Sequence, residues 1–443
     1  MVGLNKIFTP LIILLLAFFA NYATSILLAN IMSIENFGII NYALTSIPIA
    51  AQILLLGTGS SAKQFLNRYI YDHEENQTSS YVNWNINIIY WPLKISIILG
   101  FFTLIVIDPL EIIFLSHVTE TTRLVTYLFV ASPMLAGINL ISSFLLCDDH
   151  IELSTFIKAM GFYILLLSCI GTYTIFFYTD GFATPIGSVL RIMTVCYILL
   201  IIIALFVLRK HSPILFNSLT QFEKTPVHNK ETHPKWQKTA KSQLLYNVSN
   251  AFIARMDFVL LALFSPTHTQ LAIYGIAIKT ASILERVPKG IFRHLSPKIS
   301  ILTKDEQTKK ELQRLWNQSL KYNVIILLIF AYLIRHSDTL ILYIYSDNYK
   351  PVPDIIHIMN WSFFIYAIGG RKEILLQYSG YVQYINVANL SRPIIFLIIG
   401  FFLYPMYGLK GIALASLTTT ILNQIYIYIC IKYLLKFKPY GLF

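Results

Sequence analysis

Apolar segments of about 20 residues recur along the whole chain, and polar connections separate them. A segment of that length crosses the hydrocarbon core of a bilayer as a single helix. The pattern therefore predicts an all-α polytopic membrane protein. The twelve predicted spans are residues 7–32, 38–60, 86–107, 124–146, 156–178, 186–208, 242–264, 270–292, 322–344, 354–376, 384–404 and 409–434.

Basic residues collect on one side of these predicted spans. Seven lie in residues 209–241 and seven in residues 293–321. The connections on the other side contain Arg123, Arg335, Lys350 and Lys410. The positive-inside rule then places both termini in the cytoplasm. This bias accounts for much of the formal net charge of +12, so that charge does not indicate nucleic-acid binding.

The longest connection, residues 209–241, is polar and basic and lies midway along the chain. We interpret it as a cytoplasmic linker between an N-terminal six-helix lobe, residues 1–208, and a C-terminal six-helix lobe, residues 242–443. Paired halves are common in transporters, whose substrate site is usually near the middle of the membrane.

The composition and motifs point away from enzymes. Hydrophobic residues make up 56% of the chain and charged residues only 13%, against about 25% charged in soluble domains. The four cysteines have no metal or redox spacing. The chain has no Walker A loop, no GxSxG and no HExxH. We therefore expect no enzymatic activity, no cofactor and no bound metal.

One predicted span carries positive charge into the membrane. In "IYGIAIKTASILERVPKGIFRH", residues 273–294, a stripe of polar side chains follows a 3, 4, 3, 4 spacing, which places them on one helical face. Its members are Lys279, Ser282, Arg286, Lys289 and Arg293. Arginine and lysine near a helix end can extend to the interface, which would explain Arg293 and Lys289. Lys279 is predicted near mid-membrane, where a charge needs a cavity or a partner.

A second polar face is predicted on span 7, which is expected to include Asp257 at mid-membrane. The face consists of Gln243, Asn247, Asn250, Ala254 and Asp257. Two hypotheses fit Asp257: a proton or sodium site that drives transport, or a structural ion pair with a neighbouring helix, for which Lys279 is one partner to consider. Arg255, two residues away, points in another direction.

Further polar residues are expected inside the membrane, among them Gln52 in span 2 and Lys94 in span 3. Cations exceed carboxylates in the predicted spans, and a positively charged cavity attracts an anionic substrate. Arginine and lysine are well suited to phosphate oxygens. The predicted substrate-binding residues are Lys279, Arg286, Lys289, Arg293, Arg255, Lys94, Gln52, Asn247 and Asn250.

Four segments resemble the multidrug/oligosaccharidyl-lipid/polysaccharide (MOP) flippase superfamily, and most closely its O-antigen (Wzx-like) flippases. They are "ENFGIINYALTSI" at 35–47, "ARMDFVLL" at 254–261, "IYGIAIKTASI" at 273–283 and "YPMYGLKGIALASL" at 404–417. The resemblance implies a MATE-like fold of two six-helix lobes around a central cavity that opens alternately to the cytoplasm and the periplasm.

The resemblance also implies a function. It predicts a flippase of the bacterial inner membrane that moves a polyprenyl-diphosphate-linked oligosaccharide, such as an O-antigen repeat unit, to the periplasmic leaflet. The implied partners are membrane lipids, H⁺ or Na⁺ as coupling ion, and polysaccharide assembly proteins. Two alternatives stay open: a cation-coupled small-molecule exporter of the same fold, and a membrane glycosyl polymerase or acyltransferase. The exporter predicts an acidic, aromatic cavity, and the polymerase predicts catalytic side chains in the outer loops.

Overall fold

The described part of the chain is helical and contains no β-strand. The computed structural model describes residues 4–32, 34–113, 120–177, 186–220, 233–253, 256–257, 261, 268–295, 299, 306–344 and 350–437. Arg255 and residues 221–232 of the central linker lie outside these residues.

The helices of the first half are α1 (Leu4–Ile31), α2 (Ile34–Leu54), α3 (Thr58–Tyr71), α4 (Glu75–Ile113), α5 (Glu120–Cys147), α6 (Ile151–Thr155), α7 (Gly161–Phe177), α8 (Ile186–His211) and α9 (Pro213–Thr220). Those of the second half are α10 (His233–Ile253), α11 (His268–Ala281), α12 (Ile283–Ile291), α13 (Glu306–Arg335), α14 (Asp338–Ile344), α15 (Val352–Ile368), α16 (Glu373–Tyr378), α17 (Val382–Tyr407) and α18 (Leu409–Cys430). A π-helical segment, Phe156–Met160, joins α6 to α7, and another, Ile431–Leu435, follows α18.

Eight segments of the described chain are long and apolar enough to cross a membrane, and α15 is a shorter apolar helix. The eight are Phe8–Ile31, Asn36–Leu54, Tyr127–Cys147, Ile151–Phe176, Gly187–His211, Lys309–Arg335, Val382–Tyr407 and Leu409–Leu435. The predicted spans 3, 7, 8 and 10 are absent from these eight segments, and span 10 corresponds to the shorter helix α15. Span 8 is absent because its helix is interrupted and charged.

Several predicted spans are wrong at their ends. Span 2, predicted as 38–60, stops at Leu54, since Leu56 and Gly57 have positive φ angles of 48° and 79° before α3 begins. Gly57 is required there: a Cβ atom would lie 2.6 Å from the backbone nitrogen of Leu244 and closer still to the carbonyl oxygen of Ala240. The bend thus lets α10 pack directly against the α2–α3 backbone.

The predicted spans 8, 9 and 10 each contain a break. Span 8 is interrupted at Ser282, between α11 and α12. Span 9 ends at Arg335, and α14 follows after a turn. Span 10 ends at Ile368, and α16 begins only at Glu373. Hydropathy averages over windows and therefore does not detect a break of one to four residues.

Packing divides the chain into two units. One comprises residues 27–251, and the other comprises residues 1–26 together with 252–443. The unit boundaries fall inside α1 and at the end of α10, so most of α10 packs with the first half of the chain. The predicted lobe boundaries at residues 208 and 242 stay a prediction about domain organisation.

The unit of residues 27–251 has an apolar core with an aromatic cluster near the start of α10. The Trp236 indole lies 5.1 Å from the ring of Tyr81 and 5.6 Å from that of Trp84. Its Nε1 donates a hydrogen bond of 3.1 Å to the Tyr69 hydroxyl. Trp236 and Tyr81 are fully buried, so this cluster fixes α10 to α3 and α4.

Candidate functional site

The cationic stripe lies on the less buried face of α11 and α12. Ile283, Leu284 and Val287 are buried on the opposite face of α12. The stripe residues Lys279, Ser282, Arg286, Lys289 and Arg293 are all half-buried. A helical face of this kind keeps charged groups in contact with a polar environment while its apolar face packs into the protein. The structure therefore keeps the stripe together on one side of the broken helix.

The break at Ser282 divides the stripe into a part on α11 and a part on and after α12. The Ser282 hydroxyl donates a hydrogen bond of 2.8 Å to the carbonyl oxygen of Lys279, which lies in the last turn of α11. Pro288 lies inside α12 and lacks the backbone N–H that would bond to the preceding turn. Arg286 and Lys289 belong to α12, and Arg293 begins a short 3₁₀ segment, Arg293–Leu295.

An arginine from another part of the chain lies near the stripe residues Lys289 and Arg293. Arg371, in the connection between α15 and α16, interacts electrostatically with both Lys289 and Arg293. Arg286 acts on Lys289 in the same way. We call Arg286, Lys289, Arg293 and Arg371 the cationic patch. Within the patch, Arg286 and Arg371 each repel Lys289, and Arg371 also repels Arg293.

Gly370 positions Arg371 at this patch. Its φ angle is +71°, and a Cβ atom there would lie 2.7 Å from Cε2 and 3.0 Å from Cε1 of the Phe292 ring, with Cζ closer still. Phe292 is fully buried and packs 4.5 Å from the ring of Trp316. Only glycine has both the left-handed conformation and the space required to bring this connection onto the end of α12.

The carboxylate of Glu285 forms an ion pair with one member of the patch, Lys289. Glu285 Oε1 lies 2.5 Å from Lys289 Nζ, one turn along α12, and the two side chains are 24% and 34% exposed. The Nε atom of Arg286 is buried and makes no hydrogen bond within the described residues. The patch thus contains an ion pair open to solvent on one side and a guanidinium with an unused donor.

Lys279 lies on α11 and contacts α1. Its Nζ donates a 2.5 Å hydrogen bond to Ser25 Oγ. The neighbouring Thr280 hydroxyl lies 3.3 Å from the Tyr22 hydroxyl, also on α1. These contacts show how the polar face of α11 continues onto α1.

Asp257 has a set of partners that the sequence did not indicate. The Tyr274 hydroxyl donates 3.0 Å to Asp257 Oδ2. Ser416 of α18 hydrogen-bonds the same carboxylate, and Arg392 of α17 stabilises its charge. Arg392 in turn donates 3.0 Å from Nη2 to Thr420 Oγ1.

The sequence hypothesis proposed Lys279 as the ion-pair partner of Asp257, and the cation that the structure places beside it is Arg392. The two residues are 135 positions apart and on different helices, so helical spacing could not connect them. The available signal was an arginine at the middle of predicted span 11, since an intramembrane arginine requires a partner.

The other predicted binding residues lie in the unit of residues 27–251. Asn247 Nδ2 donates 3.0 Å to Ser60 Oγ. Asn250 is exposed and Gln52 is half-buried. Lys94 is exposed, with Nζ 5.3 Å from the centre of the Trp91 ring. That location on an exposed aromatic surface is typical of a cation at a membrane interface.

The whole chain is similar in structure to transporters of the MATE family. The MATE multidrug transporter DinF-BH has a TM-score of 0.71 and 14% identity, with 98% of this chain and 96% of that chain covered. The eukaryotic MATE transporter AtDTX14 has a TM-score of 0.67 and 10% identity, with 97% and 94% covered. The Vibrio cholerae MATE transporter VcmN has a TM-score of 0.66 and 13% identity, with 98% and 96% covered.

No known protein-family profile matches the chain, and no curated protein matches it. One of the similar structures is described as a MATE transporter of the MOP superfamily, with a TM-score of 0.66, 13% identity, and 96% and 93% of the two chains covered. At these identities the likeness concerns the fold. The protein therefore has the MATE-like fold of twelve membrane helices that the sequence predicted.

Proposed function

We propose that the protein is an alternating-access membrane transporter whose cargo is an anionic amphiphile bearing phosphate groups. The leading cargo is a polyprenyl-diphosphate-linked oligosaccharide, moved from the cytoplasmic to the periplasmic leaflet of a bacterial inner membrane. The observation that supports the proposal is the cationic patch: Arg286 and Lys289 lie on α12, Arg293 directly follows it, and Arg371 acts electrostatically on Lys289 and Arg293.

The chemistry of the patch suits a diphosphate. One guanidinium group can donate two parallel hydrogen bonds to two phosphate oxygens, and the ammonium of Lys289 adds a further donor. In predicted orientation, the patch lies toward the cytoplasmic side, because Arg293 follows a span that runs from outside to inside. The headgroup of the proposed cargo would then reach the patch from the cytoplasmic leaflet.

Asp257 is the proposed coupling site. It is a half-buried carboxylate with Tyr274, Ser416 and Arg392 around it. Uptake of H⁺ or Na⁺ would neutralise this carboxylate and change its attraction to Arg392. An intramembrane carboxylate with a named cation partner is the usual basis of ion-driven transport.

A second candidate is a cation-coupled exporter of small molecules. Similarity to proteins described as multidrug transporters favours it. Under this alternative the patch would be structural, and the cargo would bind elsewhere. The two candidates differ in the charge of the molecule that binds, which makes them separable.

The test measures binding to the purified protein in lipid nanodiscs. Farnesyl diphosphate is the anionic probe, farnesol is its uncharged match, and tetraphenylphosphonium represents an organic cation. We expect farnesyl diphosphate to bind and farnesol to bind at least tenfold more weakly. Arg286→Gln and Arg371→Gln should each weaken diphosphate binding by about tenfold, the lower end expected for a lost charge-assisted hydrogen bond.

Lys432→Gln serves as the matched control, because Lys432 is an exposed cation of the same unit on the same predicted side. It should bind the diphosphate as the unchanged protein does. Strong binding of tetraphenylphosphonium that the patch variants leave unchanged, without diphosphate binding, would favour the exporter instead.

A further inference from the structure

The unit of residues 27–251 has a partly open cavity of about 190 Å³ where three connections between its helices meet. The walls come from the end of α3 and the start of α4, from the residue after α5, and from the start of α9. The charge pattern predicts that all three connections lie in the cytoplasm. No lining residue belongs to the cationic patch or to the Asp257 region, so the cavity is a second place where a ligand could bind.

The wall of this cavity carries negative charge. Glu75 and Asp148 line it, and no lysine or arginine is among the described residues that do so. The Nε2 atom of His150 lies 4.0 Å from Asp148 Oδ2, which is too far for a hydrogen bond, so this neighbour does not occupy the carboxylate oxygen. Two carboxylates on one cavity wall attract a cation.

A buried hydroxyl adds a further polar group to the same wall. Ser212, directly before α9, lines the cavity and is only 2% exposed. Its Oγ has no hydrogen-bond partner among the described residues. A buried polar atom without a partner is unfavourable, and in a binding cavity it indicates a ligand that supplies the missing hydrogen bond.

The rest of the wall is largely apolar. It includes the Tyr69 ring and the side chains of Ile70 and Leu215. A cavity of about 150 Å³ accommodates benzene. The volume of about 190 Å³ therefore suits a single ring or short alkyl chain that carries one small polar group.

We propose that this cavity binds a small amphiphilic primary ammonium ion, with its apolar body against Ile70 and Leu215 and its ammonium group at Glu75, Asp148 and Ser212. A primary ammonium has three N–H donors, and the wall offers two carboxylates and one unused hydroxyl to accept them. A metal ion fits less well, because the part of the chain that the structure describes has no group of three His, Cys, Asp or Glu side chains placed to hold one.

The proposed ligand would be an effector rather than a cargo. It would join the start of α4, the end of α5 and the start of α9 through one bound ion. A ligand that binds only the folded protein stabilises it. The proposal is independent of the cargo that the cationic patch binds.

The test uses phenethylamine, which is protonated at neutral pH, and isothermal titration of the whole protein in lipid nanodiscs, with empty nanodiscs subtracted. Phenethyl alcohol is the uncharged match, and the trimethylammonium derivative keeps the charge but has no N–H donor. We expect phenethylamine to bind about tenfold more tightly than either match. Glu75→Gln and Asp148→Asn should each weaken its binding by about tenfold, and Ser212→Ala should weaken it several-fold.

Glu74→Gln is the matched control, because Glu74 is an exposed carboxylate next to Glu75 that does not line the cavity. It should bind phenethylamine as the unchanged protein does. Tetraphenylphosphonium has four phenyl rings and is too large for the cavity, so it should not compete with phenethylamine. That result would separate this site from the cargo site of an exporter.

Three results would overturn the proposal. The first is equal binding of phenethylamine and phenethyl alcohol, or no binding of either. The second is phenethylamine binding that both Glu75→Gln and Asp148→Asn leave unchanged. The third is binding of Mg²⁺ that these two variants abolish, without binding of the amine.

Discussion

Gly370→Ala tests whether the close contact with Phe292 holds Arg371 in the cationic patch. The new Cβ atom would meet three ring atoms of a fully buried side chain, none more than 3.0 Å away. A residue other than glycine at φ +71° costs roughly 1–2 kcal/mol. Overpacking a well-filled core adds about 1–3 kcal/mol. The expected loss in the free energy of unfolding is therefore about 2–5 kcal/mol.

Gly380→Ala is the matched control. Gly380 has a similar φ angle of +88°, but a Cβ atom there meets nothing within 4 Å. It should lose only the backbone contribution, about 1–2 kcal/mol. Unfolding of both variants in mixed micelles titrated with sodium dodecyl sulfate measures the difference. Farnesyl diphosphate binding should also weaken in Gly370→Ala and stay unchanged in Gly380→Ala.

Two results would refute this reasoning. Equal losses of stability in the two variants would show that the Phe292 ring yields without cost. A large loss of stability in Gly370→Ala with unchanged diphosphate binding would show that Arg371 reaches the patch independently of this contact.

The remaining predictions concern the Asp257 carboxylate, the Trp236–Tyr69 hydrogen bond and Lys279. Asp257→Asn should keep diphosphate binding but stop ion-driven transport in vesicles; if it instead only lowers stability, and Arg392→Gln in the same chain partly restores that stability, the carboxylate is structural. Tyr69→Phe should lower the free energy of unfolding by about 0.5–1.5 kcal/mol through the lost hydrogen bond from Trp236, and Trp236→Phe should lose more by the same measurement, because the smaller ring also leaves a cavity in the buried cluster. Lys279→Ala should abolish transport at every salt concentration, whereas a loss that salt relieves would place Lys279 in a screened, exposed environment.

The sequence predicts features that depend on helical period. The spacing of Lys279, Arg286 and Lys289 places them on one face of any regular helix. The break at Ser282 is a single residue long, and the three side chains stay on the same face across it. The helical period of apolar residues also identifies the buried side of α12, since Ile283, Leu284 and Val287 lie opposite the charged residues. These properties are local, so composition and spacing are sufficient.

Contacts between distant segments could not be predicted in this way. Gly370, directly before Arg371, adopts a left-handed conformation against the Phe292 ring, and no spacing rule connects residues 292 and 370. Arg392 on α17 and Ser416 on α18 both act on Asp257, and these two helices pack against each other. Such contacts follow from helix packing, and helix packing depends on side-chain shapes that a hydropathy pattern does not record.

The fold leaves the cargo open, so the charge of the cationic patch is what separates the two proposed cargoes. A MATE-like fold is compatible with many cargoes, because function is set by the residues placed on a fold. At an effective dielectric constant of about 20, two like charges 4 Å apart repel by about 4 kcal/mol. An organic cation brought to the patch would meet that repulsion from several side chains at once. A cationic drug would therefore need a site away from Arg286, Lys289, Arg293 and Arg371, whereas an anionic headgroup would relieve the repulsion that these residues already exert on one another.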